Sequence, residues 1–340
     1  MSGDRSLSRR ALQVVAVLAI LALAVAAVIA LGSRLNFGPQ QYLQLVLDGL
    51  RGGTIYALIA MGFVTVFNIT GIINFAQGAF VMLGAMLAVT VYDSGLPLEP
   101  PLRLAVAVLA GIGGTTILGL LMERLTIYPA RHHSTLTLII ITVGAYIALQ
   151  GLALVAWGAK PYVLPAFSTL ELQDTTLRFS GLVLKAQSFW IWGTTAVVLV
   201  ALAFFFERTL TGKALRACAL NRKGARLMGI SVSRMSMLAF GLAAALGATG
   251  GIVVAPTTRP MYDMGLVLGL KGFVAAIIGG LVSSPGAVVG GLMLGVLENL
   301  AAGVTKPGLK DVFAFVLLIL VLLYRPEGIL RRRGRVVEQS

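Results

Sequence analysis

Few side chains in this 340-residue chain are of a kind that does chemistry, and many of them crowd into one stretch. Residues 209–230, TLTGKALRACALNRKGARLMGI, carry Lys213, Arg216, Arg222, Lys223 and Arg226 with no acid among them. Leu215, Ala219 and Leu220, then Leu227 and Met228, recur at helical spacing. The pattern predicts a short amphipathic helix that docks onto something, more than a plain connector. A second set is stranded inside apolar runs: Asp48, Arg51, Lys271 and Glu298, with Asp263 and Asp311 at run ends. A charge in lipid costs at least ~2.5–3.5 kcal/mol, so such residues face a cavity or a partner. Asp48 and Arg51 stand at i and i+3, which allows a local ion pair. The same spacing leaves Arg51, with Lys271, able to attract a substrate carboxylate near an outer mouth. Asn74 and Gln77 lie beside Gly71 and Gly78, where a helix break would present amides and helix ends to a polar zwitterion. A helix-packing hydrogen bond explains these two amides equally well.

Catalytic chemistry finds no footing in the sequence. There is no Gly-x-x-x-x-Gly-Lys-Ser/Thr phosphate loop, no metal-ligand spacing and no nucleophile elbow. His132 and His133 are neighbours in sequence and point in different directions on a helix, as loop polar residues do. Cys218 is the only cysteine, so an intramolecular disulfide is impossible, and it reads as a small packing residue. No catalytic residue, metal ligand or chain of proton-relaying acids is assigned.

The elements that must position these residues are membrane spans. Hydrophobic residues make up 58% of the chain and charged ones 12%, about half the charged share of a soluble protein. Mean hydropathy is +0.92. Apolar runs of about 20 residues match a hydrocarbon core ~30 Å thick. They fall at 11–31, 43–67, 75–92, 102–122, 135–157, 189–206, 236–255, 263–283, 285–303 and 311–324. The first run is too long for a signal peptide core and reads as an uncleaved span. The expected architecture is an all-α polytopic membrane protein, one domain over 1–340.

The formal charge of +14 does not point to nucleic acid, because the cations sit at the edges of apolar runs. The positive-inside rule places the amino terminus, the 123–134 loop, the 207–234 loop and the basic tail, 325–340, in the cytoplasm. About 10 spans satisfy that parity. Eight spans with re-entrant pieces also satisfy it, since the glycine-rich segments 71–85 and 279–291 suit broken helices. Gly49-Leu-Arg-Gly52 and Gly269-Leu-Lys-Gly272 echo each other, as either a two-half architecture or a chance likeness of Gly/Leu-rich helices would give.

Several motifs together resemble one family. They are Gly52-Gly-Thr-Ile-Tyr-Ala-Leu-Ile-Ala-Met-Gly-Phe63, Thr70-Gly-Ile-Ile-Asn-Phe-Ala-Gln-Gly-Ala-Phe80, Thr211-Gly-Lys-Ala-Leu-Arg-Ala217 and Ala225-Arg-Leu-Met-Gly-Ile230. Lys271-Gly-Phe-Val-Ala-Ala-Ile-Ile-Gly-Gly280, Ser284-Pro-Gly-Ala-Val-Val-Gly-Gly291 and Tyr324-Arg-Pro-Glu-Gly328 complete the set. Over residues 43–329 the chain resembles the permease subunit of branched-chain amino acid ATP-binding-cassette (ABC) importers, H-type. The resemblance implies the ABC importer permease fold in a bacterial inner membrane, with both termini cytoplasmic. It implies four kinds of neighbour: a homologous second permease, two cytoplasmic ATPase subunits, a periplasmic substrate-binding protein and the lipid bilayer. ATP would be bound by those ATPase subunits, and no cofactor by this chain. In the family, the segment matching Ala217 to Gly229 is a coupling helix seated in a cleft of the ATPase. That implies coupling roles for Lys213, Arg216, Ala217, Ala219, Asn221, Arg226, Leu227 and Gly229, and a substrate pathway near Arg51, Asn74, Gln77 and Lys271. Urea or amide cargo, an ion-coupled secondary transporter, and a lipid-binding scaffold with its basic loop on anionic headgroups are the competing readings.

Overall fold

The computed structural model describes residues 37–168, 176–179, 182–305 and 307–324, with the single positions 30 and 328. Apart from those two positions, the first apolar run (11–31) and the basic tail (325–340) lie outside the described residues. The described helices are α1 (Pro39–Thr70), α2 (Gln77–Asp93), α3 (Pro100–Met122), α4 (Thr135–Trp157), α5 (Ala186–Arg208), α6 (Leu210–Leu220) and α7 (Arg222–Leu227). They continue as α8 (Val232–Thr258), α9 (Met264–Gly279), α10 (Ser284–Val304) and α11 (Lys310–Tyr324). Each expected run from 43–67 onward falls on one of them. A short antiparallel hairpin, β1 (Thr176–Phe179) and β2 (Leu182–Lys185), interrupts the expected all-α plan, pairing Thr176 with Lys185 and Phe179 with Leu182. Beyond Met122 the expected 123–134 loop stays helical to Ala130, through one π turn.

Among the described residues, six helices are long and apolar enough to cross a membrane: α1, α3 with its continuation to Ala130, α4, α5, α8 and α10. Helices α2 and α9 are shorter and also apolar. Both adjoin chain breaks that the glycine-rich segments foreshadow. Thr70 is followed by Gly71 at φ 70, a left-handed conformation that glycine adopts without a side-chain clash. Gly280, at φ 98, ends α9 before Ser283 caps α10 through Gly286 N at 3.1 Å.

The centre of the bundle is α1, α2 and α8, whose middle residues are almost all buried. Helices α3, α4 and α5 turn Leu109, Ile117, Ile140, Ile147, Val197 and Phe204 outward, an apolar exterior suited to lipid. Helices α1 and α10 meet along a glycine seam. A Cβ at Gly49 would lie 2.7 Å from Val296 Cα, and one at Gly53 2.8 Å from Leu292 Cα. One at Gly295 would run into the backbone of Gly53. Small residues thus let two backbones approach, the means by which helices associate where no hydrophobic effect separates them from lipid.

Candidate functional site

The basic stretch forms two helices where the spacing predicts one. Thr209 starts α6 by accepting Gly212 N at 2.9 Å, and Asn221 starts α7 by accepting Gly224 N at 2.9 Å. Asn221 is extended (φ −150, ψ 105), so α6 ends there. Asparagine holds orphan amides at a helix start better than it continues a helix, which explains the split. The pair closes at Gly229, φ 80, where Ile230 N donates to Ala225 O at 3.0 Å.

The apolar residues of the stretch do not all face one way. Leu215 is fully buried against Ile69 and Ala239, and Cys218 is buried beside it. At Gly212 the carbonyl of Phe205 leaves no room for a Cβ, which pins α6 to α5. Leu220, Leu227 and Met228 point the other way and are 71%, 89% and 82% exposed. Three large exposed apolar side chains, in a stretch whose charged residues are all cations, form a surface that calls for a partner. Lys213 and Arg226 are exposed, while Ala217 and Ala219 are half-buried. Arg216 reaches back to Glu207 of α5 at 3.5 Å, an exposed pair of small energetic weight. Together they edge a cavity of about 460 Å³ whose polar lining includes Thr65, Asn68 and Ser283.

The break after α1 brings Asn74 and Gln77 into the core, where both are fully buried. Asn74 Oδ1 accepts Ala76 N at 3.1 Å, and Gln77 Nε2 donates to Ala243 O of α8 at 2.9 Å. Phe75 N donates to Thr142 Oγ1 of α4 at 3.1 Å. Gln77 therefore makes a helix-packing hydrogen bond, while that of Asn74 is a local turn bond two residues along the chain. Each also keeps one unsatisfied buried atom, Asn74 Nδ2 and Gln77 Oε1. Leaving such groups unpaired costs ~1–3 kcal/mol apiece.

The stranded charges gather around α9, α10 and α11. Lys271 Nζ lies 2.5 Å from Glu298 Oε1 and 2.6 Å from Asp311 Oδ1, above the ring of Tyr56. Lys310 adds a longer contact of 3.9 Å to Glu298. The side chain of Lys271 is 6% exposed, that of Glu298 fully buried and that of Asp311 52% exposed. The charge on Lys271 is thus met within the chain. Arg51 pairs with Asp48 at 3.8 Å, the i, i+3 bridge that the spacing allows. Glu298 and Asp311 are legible as stranded acids, but their convergence on Lys271 has no local signal in the sequence. His132 and His133 are both exposed, in the turn before α4.

Comparison with known proteins places this geometry. The family model described as branched-chain amino acid transport system / permease component matches residues 45–322. The high-affinity branched-chain amino acid transport system permease protein BraD of Pseudomonas aeruginosa is 37% identical over 296 residues, covering 86% of this chain and 96% of that protein. The corresponding LivH proteins of Salmonella typhimurium and Escherichia coli K12 are 35% and 34% identical, over 296 and 301 residues, with the same coverage of 86% and 96%.

Proposed function

The chain belongs to the branched-chain amino acid transport permease family, and from that premise we propose that it is the inner-membrane permease subunit of an ABC importer. Its cargo is branched-chain or related amino acids handed over by a periplasmic binding protein. ATP is hydrolysed on two separate cytoplasmic subunits, and a homologous second permease completes the membrane portion. Both termini are cytoplasmic, and about ten crossings, or eight with re-entrant pieces, satisfy the charge distribution.

The observation that carries this reading is the α6–α7 hairpin, on which Leu220, Leu227 and Met228 are exposed and Lys213 and Arg226 are exposed cations. It is built as a plug for an apolar cleft with an acidic rim. Closure of the ATPase dimer would move the plug, and α6 would carry that motion into α1, α5 and α8 through Leu215 and Gly212. Asn74 and Gln77 are the amides assigned to the pathway, each with one hydrogen-bonding atom to spare. Arg51 and Lys271 stay in the proposal as charges shaping the opposite end of α1, each shared with a carboxylate of its own chain.

The test is affinity capture of the ATPase by the permease complex, with Leu220→Asp, Leu227→Asp and Arg226→Glu each compared with wild type. Loss of capture at least tenfold, with the permease still folded, is expected. Undiminished capture in all three variants would refute the docking surface. Leucine uptake by vesicles that contain this chain and no ATPase would instead identify a secondary transporter.

A further inference from the structure

The strongest feature outside the docking tip is a contact between the hairpin and the break after α1. Helix α1 is 32 residues long and has no basic residue in its last turn. Its C-terminus is capped by Gly71 at φ 70, whose N–H donates to Phe67 O at 2.8 Å. A helix end of this kind leaves carbonyls without intrahelical partners and a partial negative charge. The guanidinium of Arg222, the first residue of α7, lies there: a Cβ placed on Gly71 would sit 3.0 Å from its Nη2. Five residues further along, the chain reaches Ala76 and then Gln77, already buried under α8. The hairpin therefore touches α1 through Leu215 against Ile69 and through Arg222 over Gly71.

We infer that Arg222 is a positioning residue that caps the C-terminus of α1 in trans and links movement of the docking hairpin to the 71–76 segment carrying Asn74. The inference rests on the proposed ATP-driven reading for its role in transport, but the cap itself does not. Arg222 stands at the junction of α6 and α7, so a rotation of the tip about Asn221 displaces its guanidinium directly. With the cation gone, the end of α1 loses its countercharge and the first turn of the break loosens. Gly71 is the matching half of the device: any side chain there would meet the guanidinium and disfavour φ 70.

Two measurements on the assembled, membrane-reconstituted complex test this. The first is amide hydrogen exchange over residues 68–77, comparing wild type, Arg222→Ala and Arg222→Lys. Exchange about threefold faster in Arg222→Ala, the size of a lost helix-end charge, and near wild type in Arg222→Lys, is the expected result. Exchange unchanged in Arg222→Ala overturns the cap, whatever drives transport. The second is leucine transported per ATP hydrolysed, read together with ATPase capture. Arg222→Ala is expected to keep capture within twofold, to lower transport per ATP at least fivefold, and to be rescued at least halfway by Arg222→Lys. Lost capture with an unchanged ratio would make Arg222 a docking residue and overturn the link. A wild-type complex that captures no ATPase would refute the functional reading alone and leave the exchange result to decide the cap.

Discussion

Replacing Lys271 with Met tests the buried ion cluster with the fewest side effects, because the two side chains are close in length. In the wild type the ammonium is held between Glu298 at 2.5 Å and Asp311 at 2.6 Å. Asp311 is half exposed and can turn to water when the ammonium goes. Glu298 cannot, since its side chain is fully buried and its Oε2 already lacks a hydrogen bond. Among the described residues, Lys310 at 3.9 Å is the remaining ion-pair partner. Stranding one member of a buried pair costs ~3–5 kcal/mol. The residual contact with Lys310 argues for the low end, about 3 kcal/mol. At ~2 °C of midpoint per kcal/mol for a chain of this size, the thermal unfolding midpoint should fall by about 6 °C.

The discriminating variant is the double substitution Lys271→Met with Glu298→Gln. It removes both charges, and replacing a whole buried pair is often close to neutral. Thermal unfolding of the detergent-solubilised protein, followed by intrinsic fluorescence, should place the double variant well above Lys271→Met alone. A coupling energy of at least ~1.5 kcal/mol, within the range for residues in contact, is expected from the cycle. If the double variant is as unstable as the sum of the two singles, the reasoning fails and the contacts are energetically independent.

Three further outcomes follow from the packing. Gly295→Val should sharply lower the yield of monodisperse protein in size-exclusion chromatography, because its side chain would enter the Gly53 backbone; Gly144→Ala, with open space around it, should leave the yield unchanged. Gln77→Leu removes the bond to Ala243 O, a carbonyl in the middle of α8 that keeps its helical partner, so stability to denaturant should fall by about 0.5–1.5 kcal/mol. Cys218 is 1% exposed and burial pushes its thiol up from the ordinary range, so it stays protonated at neutral pH. Maleimide should therefore label the folded protein at pH 7 at under about a tenth of the rate seen in detergent-denatured chains.

The apolar runs were readable from residue types alone because lipid leaves the backbone one local solution, the helix. The breaks at Gly71 and Gly280 were readable for a related reason, since left-handed turns select glycine. The split at Asn221 has a weaker local signature, the capping asparagine itself. What composition hides is rotation. Leu215 and Leu220 stand five residues apart, about 140° around a helix, and the clamp at Gly212 sets which of them turns inward: Leu215 packs under α8 and Leu220 faces outward. The convergence of Lys271, Glu298 and Asp311 depends on how three helices are turned relative to one another, and no periodicity within any one of them reports it. The β1–β2 hairpin escaped notice because its strands are four residues each, too short for alternation to stand out.

Helix α1 ties these observations together. In its first half it carries Asp48 and Arg51 together with Gly49 and Gly53 of the seam with α10, and at its end it meets the α6–α7 hairpin. Tight backbone contact along Gly49 and Gly53 leaves no soft side chains to absorb a displacement, so a push at Ile69 or Gly71 is passed on to α10. At the far end of α10, Glu298 is locked to Lys271 and through it to Asp311. A rigid pair of helices, clamped by charge at one end and capped by a cation of the hairpin at the other, behaves as a lever. The compliant element in that proposal is the 71–76 segment, whose buried Asn74 keeps an unsatisfied Nδ2. If the hairpin docks as proposed, motion entering there would reach the 71–76 segment first, where Asn74 Nδ2 is buried without a hydrogen bond.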